Sequence, residues 1–348
     1  MQAVTVAPGT AGSVRLEEVP EPDPALGSVV VETLAVGVCG TDAEIASGAY
    51  GWAPPGRDRL ILGHESLGQV VDPGPSGFDV GDHVVGIVRR PDPAPCPNCA
   101  VGEWDMCSNG RYTERGIKQV DGFMAERWRI EPDYAVRVDK HLGMLGVLLE
   151  PATVVAKAWE HILAIGRRTF WDPDMVLVVG AGPIGLLAAL IGAQLGAEVH
   201  VLDRATSGPK PTLVQQLGGI YHTGAIADLG LRPHIVVECT GVADLVVQAM
   251  DTVSPGGIVC LTGIGSASGP GTGSAATLAN DVVLKNLAVF GSVNANRRHY
   301  YRAAKVLAKV DPSWLEQLVT RRVRPDTAQE ALQRAPDDIK VIMEFTQP

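Results

Sequence analysis

MVLVVGAGPIGLLAALIGAQLG, residues 175–196, is the stretch from which the rest of the chain is read. An apolar, β-branched run, Val176–Val179, leads into Gly180, Gly182 and Gly185, a G-x-G-x-x-G pattern. Leu186, Leu187, Leu190, Ile191 and Leu195 follow at helical spacing. A second strand-like run, Glu198–Leu202, ends in Asp203, 18 residues past Gly185. These are the parts of a dinucleotide site. One glycine makes the turn, the next lets backbone approach a pyrophosphate, and the third lets helix and strand pack closely. The helix N-terminus, opened by Pro183 and Ile184, offers free N–H groups to phosphate. An acid at that distance reaches the ribose hydroxyls.

Two plainer readings compete. Three spaced glycines are weak evidence in a chain with 40 of them. Met175–Ala197 also runs 23 residues without a charge, long enough to span a bilayer. The glycines interrupt that run in its first third, and no aromatic belt brackets it. The strand, helix and acid sit where dinucleotide binding needs them, so a membrane role is not expected.

Length and composition bound the rest. A chain of 348 residues suggests about two domains. The net charge of −10 argues against a nucleic-acid surface, which needs a basic stripe. MQAVTVAPGT shows no signal-peptide pattern, so a cytoplasmic location is expected. Six unevenly placed cysteines then favour metal or catalytic use over disulfides.

Before residue 141 the chain reads as a β-rich, barrel-like domain. MQAVTV, VRLEEV and SVVVETLAVGV are broken by Pro and Gly, and residues 89–115 form a cysteine-bearing lobe. A helix over 152–165 should carry the chain into the nucleotide domain. Strand candidates at 175–179, 198–202, 234–239, 257–262 and 287–292 alternate with helices, which predicts a parallel, doubly wound sheet. A helix over 298–307 and a strand over 340–345 close the chain.

Cys39, His64, Glu65 and Glu150 carry metal-ligand chemistry in the first half. A catalytic zinc takes three or four N, S and O ligands and keeps an exchangeable position. Singly, each has an ordinary reading: a small core residue, a satisfied hydrogen-bonder, a cap or a surface acid. Their coexistence with a dinucleotide pattern shifts the balance.

Cys39-Gly40-Thr41-Asp42, Gly63-His64-Glu65, a cysteine lobe and a later G-x-G-x-x-G resemble the medium-chain, zinc-dependent alcohol dehydrogenases, in that family's order along the whole chain. Arg89-Arg90, GRYTERG at 110–116, DGFM at 121–124, Leu149-Glu150-Pro151 and GSVN at 291–294 resemble its glucose dehydrogenase branch. The resemblance implies a GroES-like, β-rich catalytic domain over 1–155 and 296–348, with a Rossmann domain over 156–295. It implies zinc on Cys39 and His64, with Glu65 as third ligand or water-linked neighbour and Glu150 at zinc and substrate. Thr41, Glu65 and Glu150 become the catalytic candidates, Thr41 through its bond to the reacting oxygen. Arg89, Glu114 and Asn294 become sugar contacts. Gly180, Gly182, Pro183, Ile184, Gly185, Asp203, Arg204, Thr240, Thr262 and Ser292 become cofactor contacts. The implied reaction moves a hydride from an aldose, at C1, to NAD(P); a polyol or amino-alcohol dehydrogenase is the nearest rival, and a non-catalytic dinucleotide sensor the rival from another class. Self-association as a homodimer or homotetramer is implied, with the apolar run 281–292 as a pairing strand.

Three positions depart from the family's pattern. Its cysteine lobe usually offers four thiols, C-x2-C-x2-C-x7-C; Cys96, Cys99 and Cys107 fit the last three, while Pro93 stands at the first and Asp92 beside it. This leaves a possible second metal site short of a ligand. Thr153 and Val154 stand where some sugar members carry an acid. Asp203-Arg204-Ala205 stands where the branch often carries basic residues, and Lys210 lies between prolines. A carboxylate at that position repels a 2′-phosphate, so NAD is expected to be preferred over NADP.

Overall fold

Apolar runs that alternate or break at Gly and Pro give largely antiparallel sheet in the first part of the chain. The computed structural model describes residues 1–265 and 275–345. The chain divides into two compact units, Met1–Glu150 with Asn294–Pro348, and Pro151–Val293. The first boundary falls earlier than expected, because it lies inside one continuous helix, Leu149–Gly166, with no linker to mark it.

In the first unit the central strand is Val29–Val38, whose alternate residues are buried along its first half. It pairs with Glu65–Asp72 on one side and with Lys340–Glu344 on the other, both antiparallel. Gly37 therefore stands opposite Glu65 and Ile342, and Val38 opposite Val341. This register gathers Cys39, Glu65 and Lys340 from three distant parts of the sequence. Phe123, Met124, Trp128 and Ile130 fill the core behind the strands, with Phe123 and Trp128 edge to face at 4.8 Å. The cysteine lobe has more structure than a loop. Arg89–Arg90, Thr113–Arg115 and Gln119–Val120 form a small sheet, and Pro97–Ala100 forms a short helix.

The second unit is a six-stranded sheet, parallel throughout. Its order is Ile220–His222, Glu198–Leu202, Met175–Val179, Ile235–Glu238, Ile258–Leu261 and Ala288–Gly291. The five anticipated strands are present. Ile220–His222 was not anticipated, because three residues carry too little periodicity. The apolar run 281–292 is not one strand. A helix, Ala275–Leu284, occupies its first part, and Asn286 with φ of 51° turns the chain before Ala288–Gly291.

Met175–Ala197 is a strand, a turn and the helix Pro183–Gln194. Among the described residues one helical run, Lys140–Gly166, is long and apolar enough to cross a bilayer; 83% of its most apolar window is buried inside the fold, as in a core helix.

Candidate metal centre and dinucleotide turn

Cys39 caps the helix Gly40–Ala46, and its backbone N–H donates to Asp42 Oδ2 at 2.9 Å. Asp42 is fully buried, and its Oδ1 lies 3.3 Å from His64 Nδ1. Ligand atoms of Cys39, His64 and Glu65 all lie within 4.8 Å of one another. Sulfur, imidazole nitrogen and carboxylate oxygen at this spacing fit a borderline cation such as zinc. A buried carboxylate behind the histidine is the outer partner that orients a metal-bound imidazole. Burial pulls the His64 pKa down, but Asp42 and Cys39 outweigh it and hold it well above its ordinary value. A cation at this point would replace the proton they favour.

Glu65 has a second partner that the sequence did not reveal. The fully buried Lys340 forms an ion pair with Glu65 Oε2 and donates to the Val38 carbonyl at 3.1 Å. Gly37 makes room for it: a side chain there would collide with the Glu65 carboxylate. Glu150 is buried but stands outside the three-residue cluster. Burial pushes its carboxyl up to about 7; His64 and Lys340 oppose that rise, and Glu65 adds to it. Thr41 is half-buried in the first turn of the helix that Cys39 caps.

The sugar candidates form one group in the first unit, with Arg89 and Glu114 buried and Asn294 half-buried. Arg89 Nε and Nη2 both reach Glu114 Oε1, at 3.1 and 3.0 Å, and Asn294 Nδ2 donates to the same oxygen at 2.8 Å. Arg89 also donates to the Asp105 carbonyl and stacks 3.7 Å over the Tyr112 ring. Three of its N–H donors thus hold Glu114 and the Asp105 carbonyl. Arg111 pairs with Asp92 and Arg115 with backbone carbonyls, so neither is the partner of Glu114. Asn294 holds φ at 60°, a left-handed conformation that a non-glycine residue keeps at a cost.

In the second unit the glycines do what the spacing requires. Gly180 has φ of 98°, and a side chain at Gly185 would strike the Gly180 carbonyl. Gly182, before Pro183 at the helix start, faces open space. Asp203 Oδ2 accepts from the Ala181 N–H at 2.6 Å, Oδ1 accepts from Ala205 at 3.0 Å, and Lys210 Nζ reaches both oxygens, at 3.1 and 3.2 Å. Burial would raise the Asp203 pKa, but these donors hold it below the ordinary carboxylate range. Lys210, set aside in the sequence as lying between prolines, thus neutralises the acid on which the NAD preference rested. Arg204 is exposed. Thr240 and Thr262 end neighbouring strands around Glu238. That buried carboxylate accepts from Thr240 and from the Gly241 N–H, while Thr262 Oγ1 donates to the Glu238 carbonyl at 3.0 Å. Ser292 Oγ is buried without a hydrogen-bond partner among the described residues.

Comparison with known proteins decides the family. Residues 143–345 match the glucose dehydrogenase C-terminus, and residues 25–140 the alcohol dehydrogenase GroES-like domain. The chain belongs to the glucose dehydrogenase family. Glucose 1-dehydrogenase of Thermoproteus tenax is 41% identical, and that of Methanocella arvoryzae 38%, each over 99% of both chains. The Haloferax mediterranei glucose dehydrogenase solved with NADP, Zn and gluconolactone covers all of both chains at 31% identity and a TM-score of 0.91. The chain is accordingly an oxidoreductase of this family. Within it, sequence reasoning missed Lys340 and Glu238 and misjudged Lys210. The one available signal was a charge at either end of an apolar strand, as in IVVE at 235–238 and KVIME at 340–344.

Proposed function

We propose that this chain oxidises an aldose such as glucose at C1, with zinc in the first unit and NADP or NAD as hydride acceptor. The observation that carries this reading is the Cys39, His64 and Glu65 cluster, in a chain that also has a complete dinucleotide turn. Zinc, when bound, supplies a Lewis acid that lowers the pKa of the reacting hydroxyl. Nicotinamide supplies the hydride acceptor, and the protein contributes position and electrostatics. Cys39, His64 and Glu65 would hold the metal, with Lys340 as counter-charge to Glu65. Thr41 would orient the C1 hydroxyl and lead its proton away. Glu150, whose carboxyl is pushed up to about 7 by burial, is matched to receive a proton near neutral pH. Its role as a direct ligand is secondary in this reading, since it lies outside the tight cluster.

Glu114 would accept sugar hydroxyls through Oε2, because Oε1 already serves Arg89 and Asn294. A fixed acceptor of this kind discriminates between sugars, since an analogue lacking that hydroxyl leaves it unpaired. At the second strand Asp203 no longer argues for NAD alone. Arg204 and Lys210 bring two positive charges against one carboxylate, which accommodates a 2′-phosphate. Both cofactors are therefore used.

The test is a substrate panel with Glu114→Gln beside the wild type. Glucose should be oxidised to its lactone, and the substitution should raise KM for glucose while leaving KM for NADP unchanged. Turnover of acyclic polyols with no aldose oxidation would refute the aldose assignment.

A further inference from the structure

We infer that the first unit carries a binding site for a small organic anion, of the carboxylate or phosphate class, in a cleft built around Arg115. Glu114 and Arg115 are neighbours on the strand Thr113–Arg115, so their side chains leave opposite faces of it. Glu114 turns to Arg89 and Asn294. Arg115 turns to a cleft of about 580 Å³, a size suited to a small metabolite. The cleft shares no residue with the metal cluster or with the group of Arg89, Glu114 and Asn294.

The charges of the cleft do not balance where it is buried. Arg57 holds Asp121 through two bonds of 2.7 Å, Arg59 holds Glu17 at 2.8 Å, and Arg127 holds Glu21 at 2.7 Å. The two other acids of the lining, Glu18 and Asp23, are exposed, where water solvates them. Arg115 and Arg129 are left with no carboxylate among the described residues. Arg115 is 2% exposed and meets backbone carbonyls alone, of Arg129 at 2.7 Å and of Leu26 and Asp121 at 3.4 Å. Burial, with Arg90 nearby, pulls its pKa down to about 9 against Glu131 and Asp121, so it stays charged at neutral pH. Arg129 is half-buried and reaches the Gly27 carbonyl at 3.4 Å.

Two donors are also unused. Arg115 Nε and Trp128 Nε1 are buried without a hydrogen-bond partner among the described residues, and both side chains line the cleft. A guanidinium held out of water without a counter-ion is costly. A carboxylate or phosphate matches its fork of donors. In a chain of net charge −10, this buried excess of positive charge has an anion as its natural partner.

Thermal unfolding of the full-length protein tests this, with NADP present to fill the dinucleotide turn. Inorganic phosphate and succinate are each compared with chloride at equal ionic strength. At low millimolar concentration one or both should raise the midpoint saturably, and the better of the two tells phosphate from carboxylate. Arg129→Gln should weaken binding of that anion by about tenfold, the worth of one charge-assisted hydrogen bond. Arg115→Met should abolish the shift; should that variant not fold, Arg129→Gln decides alone. The inference is overturned if neither anion moves the wild-type midpoint beyond chloride, or if either variant, folded, binds the better anion as tightly as the wild type.

Discussion

In the nucleotide unit the site is made by leaving side chains out; in the other unit it is made by packing charged ones together. A side chain at Gly185 would strike backbone, while Gly182 faces open space, so shape alone prepares the turn for a pyrophosphate. At the metal centre Asp42, His64, Glu65 and Lys340 are all buried, each beside an opposite charge or a potential ligand. The first kind of site tolerates being empty. The second holds buried charge whose balance depends on every partner, and removing one partner leaves the rest costly.

That contrast breaks most sharply at the ligands. Cys39→Ser or His64→Ala should lower turnover by more than about a hundredfold, since even outer partners of a metal are worth roughly ten- to a hundredfold. Dinucleotide binding, followed by fluorescence quenching, should stay within about twofold of wild type, because the turn is built from other residues. More than a tenth of wild-type activity in either variant would remove the metal assignment.

A smaller effect sharpens the charge argument. Lys340→Met should destabilise the metal-free protein by about 3–5 kcal/mol, the usual consequence of stranding one member of a buried ion pair. With zinc bound the loss should shrink, because the cation would replace Lys340 as the partner of Glu65. Denaturant unfolding with and without zinc reads the difference. Equal losses would mean that Glu65 does not face the metal.

The smallest effect lies at the second nucleotide strand. Lys210→Ala should raise KM for NADP by roughly two- to fivefold, the worth of a modest ion pair, and raise KM for NAD less. Asp203 is held below the ordinary carboxylate range, so it stays ionised from pH 5 upward. The 2′-phosphate takes its second charge near about pH 6. KM for NADP should therefore fall as pH rises from about 5 to 7, with KM for NAD flat. A KM for NADP that rises over this range would restore repulsion by Asp203 as the controlling effect, and with it the preference for NAD.

The same contrast explains what could be read from the sequence. Glycine spacing and strand periodicity are local, so the turn at 180–185 and five of the six nucleotide strands were legible. Cys39, His64 and Glu65 stood out only because their residue types are chemically marked. Lys340 did not, since its place beside Glu65 comes from the pairing of two strands more than 250 residues apart in sequence (Glu65 and Lys340) with the same central strand. Lys210 was misjudged because its nearness to Asp203 depends on how the helix Pro209–Gln216 starts, which no propensity gives. That Arg89 holds Glu114 was not legible either, because an arginine beside a polar cluster does not announce which acid it will hold.

The most direct test of the account is glucose-dependent formation of reduced cofactor before and after the metal is stripped, with NADP binding followed in the same samples. The account predicts that turnover falls to background in metal-free protein, returns when zinc is restored, and that NADP binding is unchanged throughout. Turnover that persists without metal, or NADP binding that disappears with it, would contradict the account.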